Sequence, residues 1–210
     1  MIGMVDWEDF FAAMKDALGR ARWEAGSDPA LKPAAVLVLL TTGEDGVEVA
    51  FTQRTSRVEH HKGEVSFPGG ARDPEDADHI ATALRETHEE IGIPAASVRV
   101  LGQLPPAVTR SNFLMHPVVG ALVGPALYTP NPFEVAEVFT VPLRALLDPA
   151  TRREEAQTRN GVAIANVAYY HNGHRIWGAT ARVLTGFLDI VAELPRKEGI
   201  WARSSQASRR

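Results

Sequence analysis

Trp7, Phe11, Met14, Leu18 and Ala21 recur at intervals of four, three, four and three, the apolar stripe of an amphipathic helix. Residues 26–33, with Pro29 and Pro33, read as a connector. Every position from 34 to 40 is apolar, which predicts a central strand buried on both faces. Residues 47–53 alternate and predict its hairpin partner across Gly43-Glu44-Asp45-Gly46. Further strands are expected at 98–104 and 113–123, and a short helix at 141–147. Asn172-Gly173 is a hairpin turn signal between strands at 163–170 and 175–177. A closing helix over 179–194 puts Val183, Phe187, Ile190 and Val191 on its apolar side. This irregular alternation predicts an α+β fold, an α/β/α sandwich with a mixed sheet between helices.

One more helix carries the candidate chemistry. Ile80, Leu84, Thr87 and Ile91 form its buried stripe, Gly92 is the expected left-handed residue after it, and Asp76 or Asp78 can cap its start. On the other side stand Glu86, Glu89 and Glu90. At about 100° per residue, Glu86 and Glu90 lie one turn apart and Glu89 roughly 60° from Glu86. Such pairs repel by a few tenths of a kcal/mol on a surface helix. Arg85 stands four residues before Glu89 and can tie down its carboxylate. Clustered carboxylates suit a hard divalent cation, Mg²⁺ or Mn²⁺. The helix by itself is equally consistent with a solvated, salt-laced surface.

Composition narrows the classes. The 210 residues suffice for one core of ordinary size, preceded by a helix and connector (1–32) and followed by a basic tail (196–210) expected to be disordered; the main domain spans 33–195. Without cysteine there is no disulfide, thiolate nucleophile or thiol-ligated zinc. The longest apolar run, 33–40, is far too short to span a bilayer. A net charge of −4 and an N-terminus without a basic-then-apolar leader suggest a cytoplasmic protein. The tail has no interleaved aromatic beyond Trp201, so nucleic acid is not the expected partner.

The run Arg85-Glu86-Thr87-His88-Glu89-Glu90-Ile91-Gly92-Ile93, preceded by Gly69 and Gly70, resembles the second half of the Nudix box, REUxEExGU with U aliphatic. The first half departs from the pattern: Gly70 lies fifteen residues before Arg85 rather than fourteen, and the early acid's position holds Ala77, flanked by Asp73, Glu75, Asp76 and Asp78. That longer box is similar to the coenzyme A pyrophosphatase branch of the Nudix hydrolases. So are Phe51-Thr52-Gln53-Arg54-Thr55 with Val58, His61, Gly63, Ser66, Phe67 and Pro68, the segment 109–113, the run 130–143, and Ile176-Trp177-Gly178-Ala179-Thr180. Glu64 stands where that branch has Gln.

The resemblance implies a Nudix fold and a Mg²⁺- or Mn²⁺-dependent hydrolase that cleaves the diphosphate of coenzyme A or acyl-coenzyme A. Glu86, Glu89, Glu90 and Arg85 would be catalytic, with Glu86, Glu89, Glu90 and Gly70 around the metal. Gly69 and Gly70, Arg54, Arg57, His61, Lys62 and Arg110 would meet the substrate. Glu86 is the first candidate general base, with Glu134 and Glu137 as later-loop alternatives. Another nucleoside diphosphate derivative (ADP-ribose or an oxidised nucleotide) and a non-catalytic nucleotide sensor remain alternatives; the enzyme would be a monomer or homodimer. His88, His171 and His174 read as surface residues, and Trp177 and Phe187 as core.

Overall fold

The computed structural model describes residues 7–21, 28–44, 46–55, 63–159 and 162–194. Its spine is strand β1 (Lys32–Gly43), which returns as β2 (Gly46–Arg54) across the expected hairpin, pairing Gly43 with Gly46. On its other edge β1 runs parallel to β7 (Phe113–Leu122), which pairs antiparallel with β5 (Val98–Gln103) and with the short β6 (Ala107–Val108). Strands β3 (Val65–Ser66) and β8 (Val135–Pro142) pair with β2, and β4 (Gly69–Ala71) pairs antiparallel with the start of β1. The result is the mixed sheet between helices that the pattern predicts.

The all-apolar stretch of β1 is explained by what covers it. Side chains alternate across a strand, so successive residues face opposite sides. Val36, Val38 and Leu40 enter one core, with Phe51, Met14, Leu18, Leu184 and Phe187. Ala35, Leu37 and Leu39 enter the other, with Ala83, Ile91 and Val118. The first core is closed by helix α1 (Trp7–Arg20) and the last helix, α4 (Gly178–Glu193); the second by α2 (His79–Ile91). Between β8 and the rest of the chain, α3 (Leu143–Leu146) is the short helix expected there, trimmed to one turn.

A second sheet has the order β11-β10-β9, built from β9 (Arg152–Arg159), β10 (Val162–His171) and β11 (His174–Ile176). Asn172 and Gly173, both at positive φ, make the turn between β10 and β11. Strand β9 has the sequence RREEAQTR, with no apolar alternation. Cross-strand polar contacts help hold it: Tyr170 donates to Glu155, and Arg175 donates to both oxygens of the same carboxylate. His174, expected at the surface, instead stacks on Phe139 of the first sheet at 3.7 Å, so it helps join the two sheets.

Helix α2 is specified at both ends. Asp78 is the N-cap, its side chain accepting from Ala81 N at 2.8 Å. Gly92 is left-handed (φ 74°), and an added Cβ would meet Thr129 Cβ at 2.8 Å. The last carbonyls of a helix lack intrahelical partners. Here the incoming loop supplies them: Asn131 N donates to Glu90 O at 2.8 Å and Thr129 N to Ile91 O at 2.9 Å.

Leu37→Ala, at a position with no exposure on the central strand, should cost about 2–5 kcal/mol in denaturant unfolding. Asp78→Ala, removing one capping bond, should cost only about 1 kcal/mol.

Candidate active site

Strand β4 lies in register with β1, Gly70 opposite Ala35 and Gly69 opposite Val36, which brings the glycine pair against α2. Gly69 is required by space, and Gly70 makes room for a carboxylate. At Gly69, φ is +148° and a Cβ would stand 2.6 Å from Val36 Cα. At Gly70 a Cβ would stand 2.5 Å from Glu86 Oε2. The missing side chain leaves the volume in which the Glu86 carboxylate rests.

The three glutamates occupy different environments. Glu89 is 53% exposed and Glu86 largely covered, while Glu90 is 3% exposed. The expectation that all three acids face away from the core therefore holds for Glu89 but not for Glu90. Glu90 accepts from Gly69 N at 3.2 Å and lies 3.5 Å from an Nη of Arg54. Those partners offset its desolvation only in part. Burial, with Glu86 and Glu134 nearby, pushes the Glu90 carboxyl up to about 7. Burial also raises Glu86, with Glu89 and Glu134 adding to it and Arg85 opposing.

Arg85 organises the outer side of the cluster. Its Nη1 donates to Glu86 at 2.9 Å and to Glu89 at 3.0 Å, the second being the contact four residues apart expected from the sequence. Its Nε and Nη2 hold both oxygens of Asp76, each at 3.0 Å. The guanidinium holds the buried Asp76 carboxyl well below the usual range. Asp76, nine residues before Arg85, is thus the acid that takes up the arginine in this longer box. Sequence reasoning named it only as one of several nearby acids or as a cap. Its signal would have been the spacing to Arg85.

Among the other expected site residues, Arg54 joins the cluster. Arg57, His61 and Lys62 lie outside the described residues. Arg110 lies along an open cleft of about 870 Å³ between the 104–112 loop, β10 and α4, its guanidinium 5.6 Å over the Trp177 ring. That cleft is lined by none of the three glutamates. Of the later acids, Glu134 faces the cluster electrostatically, whereas Glu137 is half exposed and lies 3.8 Å from His174.

Among the described residues no three His, Asp or Glu side chains close on one point as a ready-made metal cage. The donor chemistry still fits a hard cation: carboxylate oxygens only, two of them raised in pKa by uncompensated burial, beside glycines that leave room. Glu86 and Glu90 would be the inner ligands, and Glu89 would have to leave Arg85 to join them.

Comparison with known proteins gives this two-sided sandwich, with its carboxylate helix under a glycine strand, a family. The NUDIX domain family model matches residues 31–161. The uncharacterized Nudix hydrolase NudL of Photorhabdus laumondii is 41% identical over 133 residues, covering 63% of this chain and 71% of that protein. The mitochondrial coenzyme A diphosphatase NUDT8 of Mus musculus is 39% identical over 183 residues, covering 85% and 86%. The crystal structure of a Nudix hydrolase from M. smegmatis, RenU, superposes with a TM-score of 0.54 at 20% identity, over 83% of this chain and 95% of that one, a likeness of fold. The chain belongs to the Nudix family and is a Nudix hydrolase. Nudix hydrolases generally use divalent cations such as Mg²⁺ or Mn²⁺. No helix among the described residues is long and apolar enough to cross a membrane.

The raised carboxyl makes a signed prediction. A carboxyl shifted from 4.5 to about 7 in the folded chain favours folding while protonated, and that contribution is lost as pH rises through this window. In chelator at pH 8, Glu90→Gln should therefore be more stable than wild type by about 2–3 kcal/mol in denaturant unfolding, and nearly equal at pH 5. A variant less stable than wild type at pH 8 would contradict the assignment.

Proposed function

We propose that this Nudix hydrolase cleaves the diphosphate of coenzyme A or its acyl derivatives, giving 3′,5′-ADP and 4′-phosphopantetheine or acylated 4′-phosphopantetheine. The observation that carries the reading is the buried Glu90 beside the largely covered Glu86, under the Gly69-Gly70 strand with Arg54 beside Glu90. The choice of substrate is supported by the likeness to the mouse coenzyme A diphosphatase over most of both chains. The longer box and its flanking segments support the same branch.

In this reading Glu86, Glu89 and Glu90, with the Gly70 backbone, would hold Mg²⁺ or Mn²⁺. The cation would supply Lewis acidity to the diphosphate oxygens and to the attacking water. Gly69 and Gly70 let backbone approach the phosphates without a side chain intervening. Arg54 offers a charge to the diphosphate at the mouth of the site. Arg85 positions Glu86 and Glu89 while anchored on Asp76, so it acts through its neighbours. Glu86 is the leading candidate base, as the carboxylate that rests directly under Gly70. Glu134 is the stronger of the two later-loop alternatives, since it faces the same cluster. Water adds to one phosphorus, the P–O–P linkage breaks, and the proton passes to that base. Arg57, His61 and Lys62 would bear the remaining phosphate charge, the 3′-phosphate included. We place the enzyme in the cytoplasm.

The test is turnover of coenzyme A, ADP-ribose and an oxidised nucleotide with Mg²⁺ or Mn²⁺, products identified by mass. Coenzyme A should give a product pair of 3′,5′-ADP and 4′-phosphopantetheine, and Glu86→Gln should lower kcat/KM by at least about 100-fold. Preferential cleavage of another diphosphate would overturn the substrate, and wild-type turnover by Glu86→Gln would overturn the site.

A further inference from the structure

The loop Pro130-Asn131-Pro132-Phe133-Glu134 lies on the connection from β7 to β8, passes the C-terminal end of α2, and presents an aromatic ring to solvent. Phe133 is 72% exposed. Singly exposed apolar side chains are ordinary, and Val108, Val123 and Leu127 are exposed elsewhere on this surface. Phe133 differs from them in being aromatic, and in how firmly its backbone is held. Asn131 N donates to Glu90 O at 2.8 Å, and Asn131 Oδ1 accepts from Phe133 N at 3.1 Å. Thr55 Oγ1 donates to Phe133 O and Thr55 N to Glu134 O, both at 2.9 Å. Two prolines restrict the remaining freedom. A hydrophobic ring held open on a pinned loop has already given up its backbone entropy, so a flat ligand can settle on it at little further cost.

The loop also stands against the glutamate cluster: Asn131 N donates to the Glu90 carbonyl at 2.8 Å, and Thr55, the residue after Arg54, holds the carbonyls of Phe133 and Glu134. In a nucleoside diphosphate one ribose separates the base from the phosphates. A base whose diphosphate sits at the glutamates must rest on protein about one sugar's length away, and Phe133 lies one residue beyond an acid of that cluster. Every base has a π-face, so stacking needs no hydrogen-bond code.

We propose that Phe133 is the stacking platform for the planar base of a nucleoside diphosphate whose phosphates lie at the Glu86–Glu90 cluster. This rests on the function proposed above and adds a specificity residue to it. The platform makes bases favourable over base-free diphosphates, and it acts on binding rather than on the bond-breaking step.

The probes are ADP and inorganic pyrophosphate, titrated calorimetrically with Mg²⁺ into the full chain. Phe133→Ala should weaken ADP about tenfold and leave pyrophosphate within about twofold, while Phe133→Trp keeps the wild-type ADP affinity. In turnover, Phe133→Ala should raise KM for coenzyme A with kcat little changed. Equal ADP affinity in Phe133→Ala, equal weakening of both ligands, or a change only in oligomeric state would overturn the platform. Failure of wild type to bind ADP would overturn both the platform and the nucleotide reading. Ring-dependent ADP binding without coenzyme A cleavage would support the platform and sink only the coenzyme A assignment.

Discussion

A carboxylate taken almost wholly out of water, with another beside it, needs positive charge that the fold supplies only in part. Glu90 has one backbone N–H and one arginine at 3.5 Å, against desolvation and two neighbouring acids. An isolated buried carboxylate gives up its charge by taking a proton. Here its pKa lies close to neutrality, so a modest gain in local positive charge returns it to the ionised form. That poised state is what a reversibly bound divalent cation would exploit, and it gives a physical reason for gathering like charges on one helix.

The rest of the fold holds that arrangement in place. The β1 ladder fixes Gly69 and Gly70 over α2, the second core seats α2 through Ala83 and Ile91, and the 129–134 loop closes the helix end. The same loop delivers Glu134 to the cluster and Phe133 to its rim. Arg85, pinned by Asp76, keeps Glu86 and Glu89 from drifting apart. The opposite core, under α1 and α4, gives the sheet a second apolar face, and the second sheet packs beside it.

Much of this was legible in the chain. The unbroken apolar run 34–40 announced a strand covered on both sides, and the stripe from Ile80 to Ile91 with Gly92 announced α2 to within a residue or two. Strands held by partners rather than by their own pattern were not legible. Gly69 and Gly70 read as backbone open to a phosphate, with no strand signal, and Gly69-Gly70-Ala71 becomes a strand because β1 offers a ladder. Residues 152–159 carry no apolar alternation, so no strand was expected there, and they form β9 through pairing and the Glu155 contacts. Glu90 was found but its burial was not, because helical periodicity places an acid on a side and cannot show that β4 and a later loop cover that side.

The central claim is that the Glu90 proton and a divalent cation compete for one place. Calorimetric titration of Mn²⁺ at pH 6, in buffers of different ionisation enthalpy, measures this directly. The account predicts release of close to one proton per Mn²⁺ bound by wild type, with that release lost and affinity weakened in Glu90→Gln. Mn²⁺ binding without proton release, and with the same affinity in Glu90→Gln, would contradict it.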